Sequence, residues 1–204
     1  MEIPAAGVLL DAEVTVPADA AGVVVFAHGS GSSRFSPRNR YVAGELQAAG
    51  FATVLADLLT AEEERTQDLR FAIDLLAVRV IGLTDWVALH GPTSALTLGL
   101  FGASTGAAAA LIAAAARPSE VDTVVSRGGR PDLAGEFLRI VAQPTLLIVG
   151  ERDTKVLELN RTAMRMLRGD GELAVVPGAT HLFEEEGALD GVARLAADWF
   201  RSHL

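Results

Sequence analysis

The sequence predicts an α/β protein: a mostly parallel, twisted sheet with helices on both faces, an antiparallel hairpin at its N-terminal edge and no large lid. Three observations carry that prediction. Short apolar runs, such as Gly22-Val-Val-Val-Phe-Ala-His28 and Pro144-Thr-Leu-Leu-Ile-Val-Gly150, suit strands covered on both sides. Segments of helical periodicity separate these runs almost throughout, the alternation that builds parallel sheets. Half of the 204 residues are hydrophobic and 21% are charged, enough apolar surface for a substantial core. No linker, repeat or low-complexity tract divides residues 1–204, which read as one domain.

In chain order, Gly7-Val-Leu-Leu and Glu13-Val-Thr-Val read as two short strands around Asp11-Ala12, an edge hairpin. After the strand ending at His28 comes a small-residue loop, then a helix over 39–49, with apolar positions at Val42, Leu46 and Ala49 and a capping Gly50. Phe51 to Asp57 is the next strand, and an acidic segment leads to a long helical pattern over 68–88. A strand then runs into Gly102-Ala-Ser-Thr-Gly106 and an alanine-rich helix ending near Arg117-Pro118. Strands over 121–125, 144–150 and 172–176 alternate with helices after Pro131, over 156–168 and over 187–204. No connection much exceeds a helix and its loops, so the cleft at the strand ends is expected to be open.

Composition removes several function classes. A net charge of −9 argues against nucleic acid or an anionic membrane as the main partner. Without cysteine there is no disulfide, thiolate metal site or cysteine nucleophile. The start carries an acidic residue and too short an apolar run for a signal peptide, and the longest apolar run, Ala107 to Ala116, is too short to span a bilayer. A cytoplasmic protein is the expectation.

The chemistry points to Ser104. Glycines at 102 and 106 remove Cβ atoms where a sharp strand-to-helix turn would crowd its neighbours, the pattern of a nucleophile elbow. The plainer alternative makes these turn glycines and Ser104 a helix N-cap. A serine nucleophile needs a base held in one tautomer by an acid. His181 follows a strand in a glycine-containing loop, whereas His28 suits a structural role, His90 precedes the elbow strand and His203 is nearly terminal. Asp153 follows another strand, with Glu151 and Asp132 as competitors and helix capping as its own alternative role. Ser104, Asp153 and His181 stand in the order nucleophile, acid, base. Backbone amides of Thr105 and of Ser30, with Gly31 as fallback, are expected to form the oxyanion hole. Gly29-Ser-Gly-Ser-Ser-Arg34 lacks the third glycine of a dinucleotide fingerprint.

Taken together, Val23-Val-Val-Phe-Ala-His-Gly-Ser-Gly-Ser-Ser33, Gly102-Ala-Ser-Thr-Gly106, Leu146-Leu-Ile-Val-Gly-Glu-Arg-Asp153 and Pro177-Gly-Ala-Thr-His-Leu-Phe183 resemble the α/β-hydrolase superfamily, in its small dienelactone hydrolase-like branch. The resemblance runs from about Gly22 to the end. It implies a serine hydrolase for esters or lactones with small or short acyl groups, acting through an acyl-enzyme, with no metal or organic cofactor. Dienelactone hydrolases proper carry a cysteine nucleophile where this chain has Ser104. Some relatives are fused to a phosphoribosyltransferase domain, which these residues do not contain.

The expected partner is a small ester; self-association as a homodimer is compatible with everything above. Arg34, Arg38 and Arg40 follow the oxyanion loop, and Arg127 and Arg130 follow the strand after the elbow helix. With Gly31, Arg34, Arg127 and Arg130 are candidate substrate contacts for a carboxylate or phosphate. The alternative is that the arginines pair with surface acids such as Glu62 to Glu64. Thioester hydrolysis, acyl transfer or perhydrolysis would use the same triad, and a non-catalytic binding module would retain the fold without using it.

Overall fold

Eight strands form one sheet in the order β1-β2-β4-β3-β5-β6-β7-β8. The computed structural model describes residues 1–204. The strands are β1 (Glu2–Ala5), β2 (Val8–Thr15), β3 (Val23–Ala27), β4 (Ala52–Ala56), β5 (Leu98–Ala103), β6 (Thr123–Arg127), β7 (Thr145–Gly150) and β8 (Gly171–Val176). β1 and β2 are antiparallel to their neighbours; from β4 to β8 every pairing is parallel.

Alternation within the strands splits the core in two. On β3, Val23, Val25 and Ala27 face α2 (Ile73–Leu89) and α3 (Thr105–Ala116), while Val24 and Phe26 face α1 (Pro37–Ala48) and α5 (Ala188–His203). A smaller cluster seats α4 (Thr154–Met164) on Val149 through Val156 and Leu157. Because both faces are covered, every residue of β3 to β7 is buried. α3 is buried all round from Thr105 to Ala114, and its alanines let α2 and the 3-10 segment Pro131–Arg139 approach it closely.

Two expectations need correction. The N-terminal hairpin turns at Ala6-Gly7, so that Val8–Thr15 is one strand through Asp11-Ala12 and its partner is Glu2–Ala5. Ala6 and Gly7 both have positive φ, a turn chemistry that Ala6 gave no reason to expect. The helix read over 68–88 starts at Ile73; 3-10 turns at Glu63–Arg65 and Gln67–Phe71 precede it. Those turns are fixed by tertiary bonds, chiefly Arg79, which is buried and donates to the Ala5 and Ala6 carbonyls and to Glu63. No helix is long and apolar enough to cross a membrane.

Candidate active site

The elbow is built from missing side chains. A Cβ on Gly102 would lie 2.4 Å from the Ala107 Cα, and one on Gly106 would lie 2.2 Å from the Ala27 carbonyl oxygen. Neither glycine has positive φ, so each is required by the close approach of β5, α3 and β3 and not by its own backbone conformation. The strain falls on Ser104 instead, with φ 51° and ψ −122°, a region sparsely populated by residues with a side chain. Its N–H donates to the Arg127 carbonyl at 3.2 Å, and its carbonyl accepts from Arg130 at 3.0 Å and Ala107 at 3.2 Å. Ser104 makes no side-chain cap on α3.

Asp153 and His181 follow β7 and β8. Asp153 stands at the N-cap position of α4, yet its carboxylate does not cap that helix. Instead Oδ2 lies 2.6 Å from His181 Nδ1. Asp153 is largely buried, with 14% of its side chain exposed, while the His181 imidazole is 39% exposed, so the carboxylate fixes a ring that stays open to solvent. The ring's Cε1 lies 3.6 Å from where a Gly128 Cβ would be, and Gly128 directly follows Arg127, which pairs with the residue before Ser104. The Ser104 hydroxyl makes no hydrogen bond to the imidazole in this unliganded arrangement; such bonds commonly tighten only around substrate.

Loop-to-loop bonds hold the base. The N–H groups of Glu151 and Arg152 donate to the carbonyls of Val176 and Ala179, at 3.0 and 2.9 Å. The Glu151 carboxylate accepts from the Gly178 N–H at 2.7 Å, so the competitor for the acid role anchors the histidine loop. Glu185 accepts the Thr180 N–H at 3.1 Å, and those hydrogen bonds draw its carboxyl below the usual range. Asp132 makes a fork with Arg130, at 2.8 Å for both contacts. Neither glutamate's anchoring was legible in the sequence.

The remaining histidines are occupied elsewhere. His28 is buried and bridges two strand ends, accepting the Leu58 N–H at Nε2 (3.0 Å) with Nδ1 2.9 Å from the Gly29 carbonyl. This needs the neutral ring protonated at Nδ1. Burial pulls its pKa below the ordinary value, against opposing influences from the Gly29 carbonyl, Asp57 and Glu64. His90 stacks on Trp86, and His203 stacks on Trp199.

In the expected oxyanion hole, the amides of Thr105 and Gly31 donate to nothing within the protein, whereas the Ser30 N–H donates to the Thr105 hydroxyl at 2.8 Å. A cavity of about 630 Å³ opens beside this loop, between Gly31-Ser32-Ser33 and the Asp57 to Ala61 segment. Its lining includes Gly31 and Arg38 but neither Ser104 nor His181.

The arginines divide sharply. Asp57 accepts the Arg34 N–H at 2.6 Å and pairs with its guanidinium, with Asp11 also 3.4 Å away. Arg38 pairs with Glu184 at 3.4 Å, Arg40 with Glu13 at 2.6 Å and Arg130 with Asp132. Their partners are thus not Glu62 to Glu64, two of which engage Arg79 and Arg70. Arg127 has no acid. It is buried, its Nε and Nη1 are unpartnered, and the guanidinium's one hydrogen bond is to Asn39 Oδ1 at 3.4 Å. Burial, and secondarily the Arg38 charge, pull its pKa to about 10, so it stays charged at neutral pH.

Among known proteins, the family model described as the dienelactone hydrolase family matches residues 10–202. A crystal structure of dienelactone hydrolase from Anabaena variabilis is 54% identical, with a TM-score of 0.98, over 100% of this chain and 96% of that one. Est1E from Butyrivibrio proteoclasticus, solved with ferulic acid, is 16% identical with a TM-score of 0.84 over 100% and 98% of the two chains, a likeness of fold. A Mycobacterium tuberculosis protein bearing the name "Putative phosphoribosyl transferase" is 59% identical over 202 residues, 99% of this chain but 44% of its own length. The chain therefore spans less than half of the curated relatives it matches. The match of the family model over nearly the whole chain, on a fold that carries Ser104 at its elbow, shows that this chain belongs to the dienelactone hydrolase family.

Proposed function

We propose that this hydrolase is a serine esterase or lactonase for small or short-acyl carboxylic esters. The observation that carries the reading is the 2.6 Å contact of His181 Nδ1 with the Asp153 carboxylate, beside a strained Ser104. Asp153 holds the Nδ1 proton, leaving Nε2 as the base. Ser104 Oγ attacks the ester carbonyl carbon while His181 takes its proton, and the carbonyl π electrons move onto oxygen. Collapse of that tetrahedral intermediate breaks the bond to the leaving alkoxide, which receives the proton from His181. Water, deprotonated by the same imidazole, then attacks the acyl-enzyme and returns Ser104 to its starting state. The developing oxyanion lies at the start of α3, where the free Thr105 N–H and the helix dipole favour negative charge.

The buried, acid-free Arg127 supports the further proposal that a carboxylate on the substrate is favoured. Phosphoribosyl transfer, named for relatives more than twice as long, is not part of the proposal for these residues.

The test is organophosphonate labelling together with turnover of p-nitrophenyl acetate, a lactone, a thioester and a carboxylate-bearing ester. The native protein should be labelled at Ser104. Ser104→Ala and His181→Ala should lose roughly 10⁴- to 10⁶-fold in kcat, and Asp153→Asn about 10⁴-fold. Labelling at another serine, or unchanged turnover in Ser104→Ala, would remove the proposal; no preference for the carboxylate at any salt would remove the role of Arg127.

A further inference from the structure

The bond between the Ser30 N–H and the Thr105 hydroxyl, 2.8 Å, changes what the oxyanion hole is made of. A backbone N–H points in one direction, and here that direction is filled by Thr105 Oγ1. A substrate oxygen cannot use the Ser30 amide at full strength while the hydroxyl stays in place.

Accepting that bond occupies a lone pair of Oγ1 and leaves its hydrogen available, since the hydroxyl donates to no group in the protein. At the first position of α3, the Thr105 N–H is likewise free. One nearly buried residue, 7% exposed, therefore presents two donors, its N–H and its O–H, immediately after Ser104. Accepting the Ser30 N–H polarises the hydroxyl and strengthens it as a donor.

We propose that the Thr105 side chain is a catalytic oxyanion donor, its O–H and N–H gripping the same oxygen, with Ser30 as a positioning residue that acts through the hydroxyl. This rests on the assignment of Ser104 as nucleophile. The rival arrangement is a plug: the hydroxyl merely caps the Ser30 amide and must leave before catalysis. The two predict opposite signs when the hydroxyl is removed.

The experiment measures kcat and KM on p-nitrophenyl acetate, and inhibition by a trifluoromethyl ketone that forms a tetrahedral adduct, for the native protein, Thr105→Val, Thr105→Ala and Thr105→Ser. Removing a preorganised donor should lower kcat about 10- to 100-fold in both Val and Ala variants, with KM changed less than about threefold. Thr105→Ser should retain turnover within about threefold, and ketone affinity should fall in proportion to kcat/KM across the series. Equal or faster turnover in the Ala variant, or a loss confined to KM, overturns the proposal. Ser104→Ala run alongside separates the two layers: if it is inactive while Thr105→Ala is unimpaired, only this inference fails, and if it retains full turnover, the nucleophile assignment and this inference fall together.

Discussion

The elbow that presents Ser104 and the loop that presents His181 do comparable jobs with different forces. At the elbow, backbone meets backbone inside the core, and Gly106 could not carry a methyl without striking the end of β3. At the loop carrying His181, backbone bonds from Glu151 and Arg152 to Val176 and Ala179 are joined by side chains reaching to solvent-facing amides, Glu151 to Gly178 and Glu185 to Thr180. Ser104 is thus fixed by the same contacts that make the fold. The His181 loop is held in part by two surface carboxylates. Damage at the elbow should register as lost stability, and damage at the base loop as lost turnover.

The sharpest break comes from alanine at two helical glycines. In an exposed helix, Gly→Ala gains up to about 1 kcal/mol, and Gly44→Ala in α1, where a Cβ would meet nothing within 4 Å, should show that gain in urea unfolding. Gly106→Ala, at 2.2 Å from the Ala27 carbonyl, should instead cost about 4 kcal/mol or prevent folding. Equal effects at the two sites would mean that the elbow has slack.

The oxyanion loop sits between these extremes, and pH reaches it through His28. Its folded pKa lies below the ordinary 6.5, so between those values the unfolded chain binds a proton that the folded chain does not. The stability contributed by the neutral ring is whole above about pH 6.5 and lost as pH falls through the folded pKa. His28→Gln keeps an acceptor for the Leu58 N–H without titrating, and should flatten the fall in urea midpoint between pH 7.5 and 5 at a cost of about 1–2 kcal/mol near neutrality. An unchanged pH profile would place the titrating group elsewhere.

The smallest effect on stability belongs to the base loop. Glu185→Ala frees the Thr180 N–H next to His181 and should lower kcat about tenfold while leaving the urea midpoint nearly unchanged. A loss of stability as large as that of Gly106→Ala would erase the contrast between the two turns.

Much of the fold was legible because apolar runs covered on both faces leave an unmistakable pattern, and Gly102, Ser104 and Gly106 needed only local spacing. Less legible was whatever long-range bonds decided. The first 3-10 turn ahead of α2 starts on a local exchange between Thr60 and Glu63, but its tie to the rest of the fold is Arg79, which links Glu63 to the Ala5 and Ala6 carbonyls across a long stretch of chain. Arg34 and Arg127 look alike in the sequence, each an arginine C-terminal to an apolar run that reads as a strand. Only the arrival of Asp57 at one and the absence of any acid at the other distinguish them.

The chain's own order of residues determined the layered α/β architecture, the turn carrying Ser104 and the succession of Ser104, Asp153 and His181 at strand ends, because side-chain periodicity and glycine placement act over a few residues. Tertiary structure alone decided that Asp153 faces His181 instead of capping α4, that Glu151 and Glu185 brace the base, and that the Ser30 amide meets the Thr105 hydroxyl. Apart from the Glu185 bond, which closes within one loop, each is a hydrogen bond that joins polar groups from segments far apart in the chain. Its partner is chosen by which strand ends the sheet order sets side by side, and the spacing of residues along one segment carries no information about that choice.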